Sequence, residues 1–339
     1  MILMASLRAY IITRILLTIP MVFILLTIVF FIMRAVGDPV TAIVGAHAPP
    51  EQVARLREEL GLNKPLIYQY FDYIIQLLRG DLGRSLIWGK RPVIAEILDH
   101  FPATVELTIS AFIVSIIIGV FLGVFSASSY GKPLDHTIRF AGIVTYALFI
   151  PWFGMMLQLI FGVYLGWLPI GGRIDPKMYP ATITGLYVLD SILTWNFEAL
   201  KSSILHLILP SITLGIVLSG VYIRITRSSM IEVLRQDFIV AAKARGLPDR
   251  IIVFRHALKN AFIPVLTMMG LQFAILLAGA VLTETTFSWP GMGTFLLERI
   301  QYRDFTTVQG TIVFFALLVA FVSLIVDIFY AFLDPRVRY

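Results

Sequence analysis

Six stretches of this chain run for 19 residues or more without a charged side chain: 15–33, 107–131, 140–172, 202–223, 260–283 and 305–326. About 20 helical residues cross the roughly 30 Å of bilayer hydrocarbon, so each stretch is long enough to span. The strands of a membrane barrel would alternate apolar and polar residues, whereas 109–124 is almost continuously apolar. The expected fold is therefore an all-α integral membrane bundle. The whole chain agrees: 58% of its residues are apolar, only 14% are charged, and its mean hydropathy is +0.86. A soluble domain carries about 25% charged residues, which excludes a water-soluble enzyme or a disordered chain.

The third stretch is longer than one span needs and holds Pro151 and Pro169, which predicts a helix kinked near Pro151 and ending around Gly166. The runs 178–189 and 285–297 are too short to span and read as interfacial or re-entrant segments. Arg8 and Arg14 precede the first stretch as in a signal peptide. Its apolar core exceeds the 7–15 residues expected of one, and Ala35 with Gly37 makes a weak cleavage site, so it reads as a retained span.

Short inner loops collect Lys and Arg. With the N-terminus inside, fourteen basic residues fall on the inner side, among them Arg8, Arg14, Lys132, Arg139, Arg336 and Arg338. The short outer loops hold only Arg173, Lys177, Lys201, Arg299 and Arg303. Both termini are expected in the cytoplasm, with the chain in the cell (plasma or inner) membrane. Residues 1–33 then form the N-terminus and first span, 34–103 a small extracytoplasmic cap, and 104–339 a five-span core with a cytoplasmic loop at 224–259. In the cap, 50–60 and 65–79 each repeat apolar residues on one helical face before a glycine, Gly61 and Gly80. These two helices either meet an external partner or cover the bundle.

The inner loop 224–259 carries eight basic and three acidic residues. Within it 237–245 is a run of helix formers, Gly246 suits a left-handed C-cap, and Pro248 and Asp249 suit the first turn of a second short helix over 250–258. Small side chains at Ala241, Ala242 and Ala244 would let another protein's backbone approach. A basic loop can also serve only to set topology and to touch anionic membrane lipid. A helix–glycine–helix unit is a DNA-reading shape, but with spans on both sides it could not enter a major groove, so no nucleic acid is expected as partner.

The run Val240-Ala241-Ala242-Lys243-Ala244-Arg245-Gly246 resembles the EAA loop of ABC importer permeases, whose pattern is Glu-Ala-Ala, three residues, Gly, nine residues, then Ile-x-Leu-Pro. Val240 stands where that pattern has Glu, and in His256-Ala257-Leu258-Lys259 only Leu258 fits. Those departures match the peptide-type branch. Other pieces resemble the first of the two permease subunits of dipeptide/oligopeptide importers: Gly37-Asp38-Pro39, Leu60 to Leu66, Gly80 to Ser85, Trp167-Leu168-Pro169, Arg255 to Leu258, Phe287-Ser288-Trp289-Pro290-Gly291-Met292-Gly293, and Asp334-Pro335-Arg336. Seven such pieces stand in order over most of the chain.

The resemblance implies a six-span type I ABC importer permease bundle that forms half of the translocation path for a peptide, or a related oligosaccharide-type solute, delivered by an extracytoplasmic substrate-binding protein. It implies as partners a second homologous permease subunit and two cytoplasmic ATPase subunits that hold ATP and magnesium. It also implies that the first EAA helix is a coupling helix seated in a cleft of the ATPase, assigning ATPase coupling to Asp237, Val240, Ala241, Ala242, Lys243, Ala244, Arg245, Gly246 and Leu247.

The chain itself offers no catalytic or cofactor site. Gly131-Lys132 is followed by Pro133 with no glycine at Walker spacing, so it is not expected to bind nucleotide or act as an enzyme alone. Its histidines, His47, His100, His136, His206 and His256, form no His-x-x-x-His pair, there is no cysteine, and no metal site is expected. The rival class is an ion-coupled secondary carrier of a polar solute, which would need ionisable groups inside the bundle. Glu106, Glu284 and Asp327 lie instead at the ends of uncharged stretches, where interfacial water is expected to reach them and Arg14 to snorkel. Ser115, Gln158 and Gln272 are polar groups within spans that either hydrogen-bond between helices or line a translocation path. Gly119/Gly123 and Gly162/Gly166 have the spacing that allows close helix contact.

Overall fold

In lipid a helix satisfies its own backbone polar groups, and the computed structural model of the chain is built of helices. It describes residues 7–36, 40, 49–59, 61–85, 87, 89–277 and 280–333. In chain order these are α1 (Leu7–Val36), α2 (Pro50–Glu59), α3 (Leu66–Leu78), α4 (Val93–Ser128), α5 (Pro133–Ala147), α6 (Ile150–Leu157), α7 (Tyr187–Leu193), α8 (Phe197–Leu234), α9 (Asp237–Ala244), α10 (Asp249–Leu277), α11 (Val281–Thr286), α12 (Met292–Gln301) and α13 (Phe305–Leu333). A π-helical segment, Gln158–Tyr164, prolongs α6, and another, Ile252–Ala257, lies within α10. Gly37-Asp38-Pro39, His47, Leu60 and Asp334-Pro335-Arg336 lie outside the described residues, as does Arg338.

Among the described residues, α1, α4, α8, α10 and α13 are long and apolar enough to cross a membrane. α5 and the α6 segment are apolar enough together but meet at 103°, and counted as one broken span they make a sixth. The expected kink is thus a full break, placed at Leu148 and Phe149, whose ψ angles of 129° and 112° are extended. Pro151 stands in the first turn of α6, where its missing N–H costs nothing. The helix ends near Gly166 as expected.

The centre of the bundle is α4 against α8. Gly119 lies on Tyr222 and Gly123 on Thr226; a Cβ added at Gly123 would stand 2.6 Å from that of Thr226. This pair therefore makes a close helix seam. Gly162 instead faces Ile170 in the loop that follows its own helix, so the second glycine pair shapes a turn and brings no two spans together. Val29 and Met33 of α1 pack on Val308 and Val313 of α13, and Arg14 pairs with Asp327 at 3.3 Å. Arg14 is held by a neighbouring helix where snorkelling was expected.

Two charged groups sit deeper than their place at the ends of uncharged stretches suggests. Glu106 is buried and bound to Arg173 at 2.7 Å, and it accepts the Val188 N–H at 2.8 Å. Arg173 also donates to the Gly185 carbonyl and lies 3.8 Å from the ring centroid of Tyr187. The ion pair thus fastens the loop 173–186 to α4. The segment expected at 178–189 is irregular over its first part, and the helix α7 comes later. Its Asp190 is buried; burial alone would raise the carboxyl pKa, but donation from the Thr184 hydroxyl and the N–H groups of Thr184, Ile183 and Gly185 holds it below the usual value.

Glu284 is the second. It is fully buried, accepting from the Thr104 hydroxyl at 2.7 Å and from the N–H groups of Gly293 and Thr294 at 2.7 and 3.0 Å. Gly291 and Gly293 leave room for the carboxylate, because a Cβ at either would fall on it. The Trp289 ring N–H donates to the Ala103 carbonyl at 2.8 Å. The motif running from Phe287 to Gly293 is thus a lock that ties α11 and α12 to α4. Water does not reach this acid, contrary to its expected interfacial place, since its partners are backbone donors at the start of α12.

Candidate functional site: the α9 turn

The residues assigned to coupling lie together on α9 and the turn that follows. Asp237 in the first turn and Lys243 in the last complement the helix dipole. The α9 helix is too short to stand in water unaided, so its stability comes from one apolar face. Ile239 (0% exposed) and Ala242 (8%) form that face, packed in a cluster with Val124, Met230, Val233, Ile252 and Ala257.

Ala242 therefore faces the chain's own bundle. It was expected beside Ala241 and Ala244 on the face offered to a partner; helical geometry separates it, since Ile239 and Ala242 are three apart and share a side. The outward face consists of Asp237, Phe238, Val240, Ala241, Lys243, Ala244 and Arg245, all exposed, with Val240 61% so. It is small and mildly apolar with a basic end. Leu247 is half-buried against the same core.

The turn closes as a left-handed cap. Gly246 has φ +73°, and its N–H donates to the Lys243 carbonyl at 2.9 Å while that of Leu247 donates to the Ala242 carbonyl at 3.3 Å. Asp249 then starts α10 after Pro248. The second short helix expected over 250–258 is the first part of α10, which continues to Leu277. Lys259 and Asn260 break the apolar stretch but are no helix breakers, so the helix runs on through them.

A polar anchor stands beside this turn, and its residues escaped notice in the sequence. Asp135 at the start of α5 is buried and accepts from Arg227 of α8 through Nε at 2.7 Å and Nη2 at 2.9 Å, from the Ser126 hydroxyl and from the Gly131 N–H. The guanidinium groups of Arg227 and Arg235 lie 5.5 and 5.6 Å from the ring centroid of Tyr130. The anchor joins the α4–α5 turn to the end of α8, from which α9 departs. Its one legible signal was an acid in the first turn after Pro133.

The three candidate path residues are not brought into one site. Ser115 is fully buried and donates to the Phe112 carbonyl in its own helix at 2.8 Å. Gln158 donates through Nε2 to the Thr286 carbonyl at 3.0 Å and to that of Ile170, so it ties the α6 segment to α11 and to its own loop. Gln272 stands half-buried on α10.

The chain matches two family profiles: residues 7–108 match the N-terminal membrane component of binding-protein-dependent transport systems, and residues 119–339 match the binding-protein-dependent transport system inner membrane component. It is 44% identical to the dipeptide transport system permease protein DppB of Alkalihalophilus pseudofirmus, over 98% of this chain and 99% of that protein. The di/tripeptide transport system permease protein DppB of Pseudomonas aeruginosa is 41% identical over 98% of this chain and 99% of its own. Among solved structures, an inward-facing form of the MetNI methionine ABC transporter superposes with a TM-score of 0.53 at 13% identity, covering 71% of this chain and 97% of that one. That likeness speaks for the fold. By family and architecture the chain is an integral membrane permease subunit of the ABC importer class and not an ion-coupled carrier; it belongs to the family of binding-protein-dependent transport system inner membrane components.

Proposed function

We propose that this chain is half of the translocation path of an ATP-driven importer of short peptides, working with a second permease subunit, two ATPase subunits that hold ATP and magnesium, and a substrate-binding protein. The observation that carries the peptide class is the likeness to dipeptide and di/tripeptide permeases along nearly the whole chain. In this reading α9 docks in a cleft of the ATPase through Val240, Ala241 and Ala244, with Lys243 and Arg245 at the rim. Ala242 and Leu247 hold the helix on the bundle. Gln272 is the remaining candidate for the path, because Ser115 and Gln158 have structural hydrogen bonds. Residues 34–103 form the outer cap, and 224–259 the inner loop.

Energy source tests the class of transport. Proteoliposomes holding both permease subunits, the ATPases and the binding protein should take up dipeptide only with ATP inside, and omission of the ATPases should abolish uptake under any imposed proton or sodium gradient. Uptake driven by a gradient would move the chain to the carrier class.

Orientation is tested with cysteines, convenient because the chain has none. Ser85 and Ser229 are buried, the first bonded to Asp304, so exposed positions serve better. Glu58→Cys on α2 and Lys132→Cys in the α4–α5 turn are both exposed. An impermeant thiol reagent added to intact cells should label position 58 and leave 132 unlabelled until the membrane is opened. Labelling of both from one side would refute the topology.

A further inference from the structure

The helix α3 divides into three faces. Tyr70, Tyr73 and Leu77 turn to α1, where Tyr73 and Leu77 join the α1–α13 core. Gln69, Asp72 and Gln76 line a cavity of about 450 Å³ that also takes in Arg34, Arg84 and Gln309. The remaining face is a stripe of Ile67, Phe71, Ile75 and Leu78, all exposed, with Leu78 82% so. A solvated cap has no use for such a stripe next to a polar face of equal length.

The depth of α3 explains the stripe. Thr27 donates its hydroxyl hydrogen to the Phe23 carbonyl, so at the 2.7 Å contact between them the Tyr70 hydroxyl donates to Thr27 Oγ1. The Tyr70 ring also lies 6.3 Å from that of Phe23 and 6.2 Å from that of Phe31. The apolar span of α1 is Ile11–Ala35. At about 1.5 Å per residue, Thr27 lies about 12 Å and Phe23 about 18 Å inward from Ala35, so Tyr70 reaches well below that end of a hydrocarbon layer roughly 30 Å thick. Phe31 is exposed on the outside of α1, stacks on Tyr70, and Tyr70 in turn touches exposed Phe71. The lipid-facing surface of α1 therefore runs on without a break into the stripe of α3.

We propose that α3 is an in-plane helix of the bilayer leaflet at the α1 C-terminal end, with Ile67, Phe71, Ile75 and Leu78 on acyl chains and Gln69, Asp72 and Gln76 over a hydrated crevice. Such a helix buries its apolar face about 5–10 Å into the headgroup and acyl boundary and keeps its polar face wet, with the Tyr70 side chain reaching deeper along α1. Lys64, just before α3, pairs with Asp72 of the polar face at 2.8 Å. The proposal rests on α1 crossing the bilayer and not on what the protein transports.

Nitroxide labels on single cysteines test it. Phe71→Cys, Ile75→Cys and Leu78→Cys sample the stripe, Gln76→Cys the polar face, and Phe31→Cys the lipid face of α1, all in the full transporter in phospholipid vesicles. Labels at 71, 75 and 78 should collide with oxygen and be shielded from a water-soluble nickel chelate, as at 31, while the label at 76 shows the reverse. Uptake by each variant establishes that it is folded, and the three stripe positions back one another. Free collision of the stripe labels with the nickel chelate would overturn the proposal in favour of water. Shielding from both reagents would overturn it in favour of a covering protein.

Discussion

Ala241→Arg is expected to leave the protein inserted and folded while uncoupling transport from ATP hydrolysis. Ala241 is exposed on α9, so a long cation there meets no part of its own bundle. If the face seats in a partner's cleft, the added side chain overpacks it at about 1–3 kcal/mol, roughly a 5- to 150-fold loss of docking affinity. Gly246→Val should act on the same step from the other side of the turn. A Cβ at Gly246 meets nothing within 4 Å, so the cost is conformational: φ is +73°, and a left-handed L-residue costs about 1–2 kcal/mol, more when β-branched. Gly246→Asn, which tolerates that region, should transport nearly normally. Ala242→Arg is the less informative change, because Ala242 packs on the chain's own core and its loss would unseat α9 directly. Co-purification of the ATPase and substrate-stimulated hydrolysis measure the effect. Normal docking and uptake in both Ala241→Arg and Gly246→Val would falsify the coupling role of α9 and leave the loop as a topology signal.

The sequence disclosed the spans and the α9 turn for a common reason: both are written in short-range pattern. Uncharged length marks 15–33 or 305–326, and a helix-forming run ended by Gly246 and Pro248 marks α9. What it concealed depends on which residues meet across the bundle. Glu106 and Glu284 read as acids at the edges of apolar stretches, where water is the ordinary partner, and Asp135 carried no reading at all. Their actual partners, Arg173, the α12 N-terminus and Arg227, stand 67, 9 and 92 residues away. The side on which Ala242 falls was legible from spacing, since Ile239 lies three residues before it, but three alanines suggested a single face. The break at Leu148 exceeded the expected kink because proline in a first turn permits a new helix to start in any direction. The contact between the Tyr70 hydroxyl and Thr27, on which the proposed depth of α3 rests, was equally illegible in the sequence.

Removing the acid at the α11–α12 lock should cost the fold more than any other single change considered. Glu284→Ala leaves two backbone N–H groups and the Thr104 hydroxyl without their acceptor in a fully buried place. Each unsatisfied buried donor costs about 1–3 kcal/mol, so a drop of several kcal/mol is expected, seen as a lower unfolding temperature in detergent and faster proteolysis in 281–304. Glu284→Gln keeps an acceptor for the two N–H groups and can donate to the Thr104 oxygen, so its loss should be small. The pH dependence separates the two. Burial raises the Glu284 carboxyl above its ordinary value of 4.5, with the hydrogen bonds from Thr104, Thr294 and Gly293 pulling the other way. Between 4.5 and the raised value the folded chain binds more protons at this site than the unfolded one, so stability falls as pH rises through that window and stays level above it. The glutamine cannot ionise and escapes this fall, so its deficit relative to the parent protein should be largest at acid pH and shrink as the pH rises. A deficit that instead grows with pH would mean that the acceptor bonds, not burial, set the carboxyl's charge, and an unfolding temperature unchanged in Glu284→Ala would remove the lock altogether.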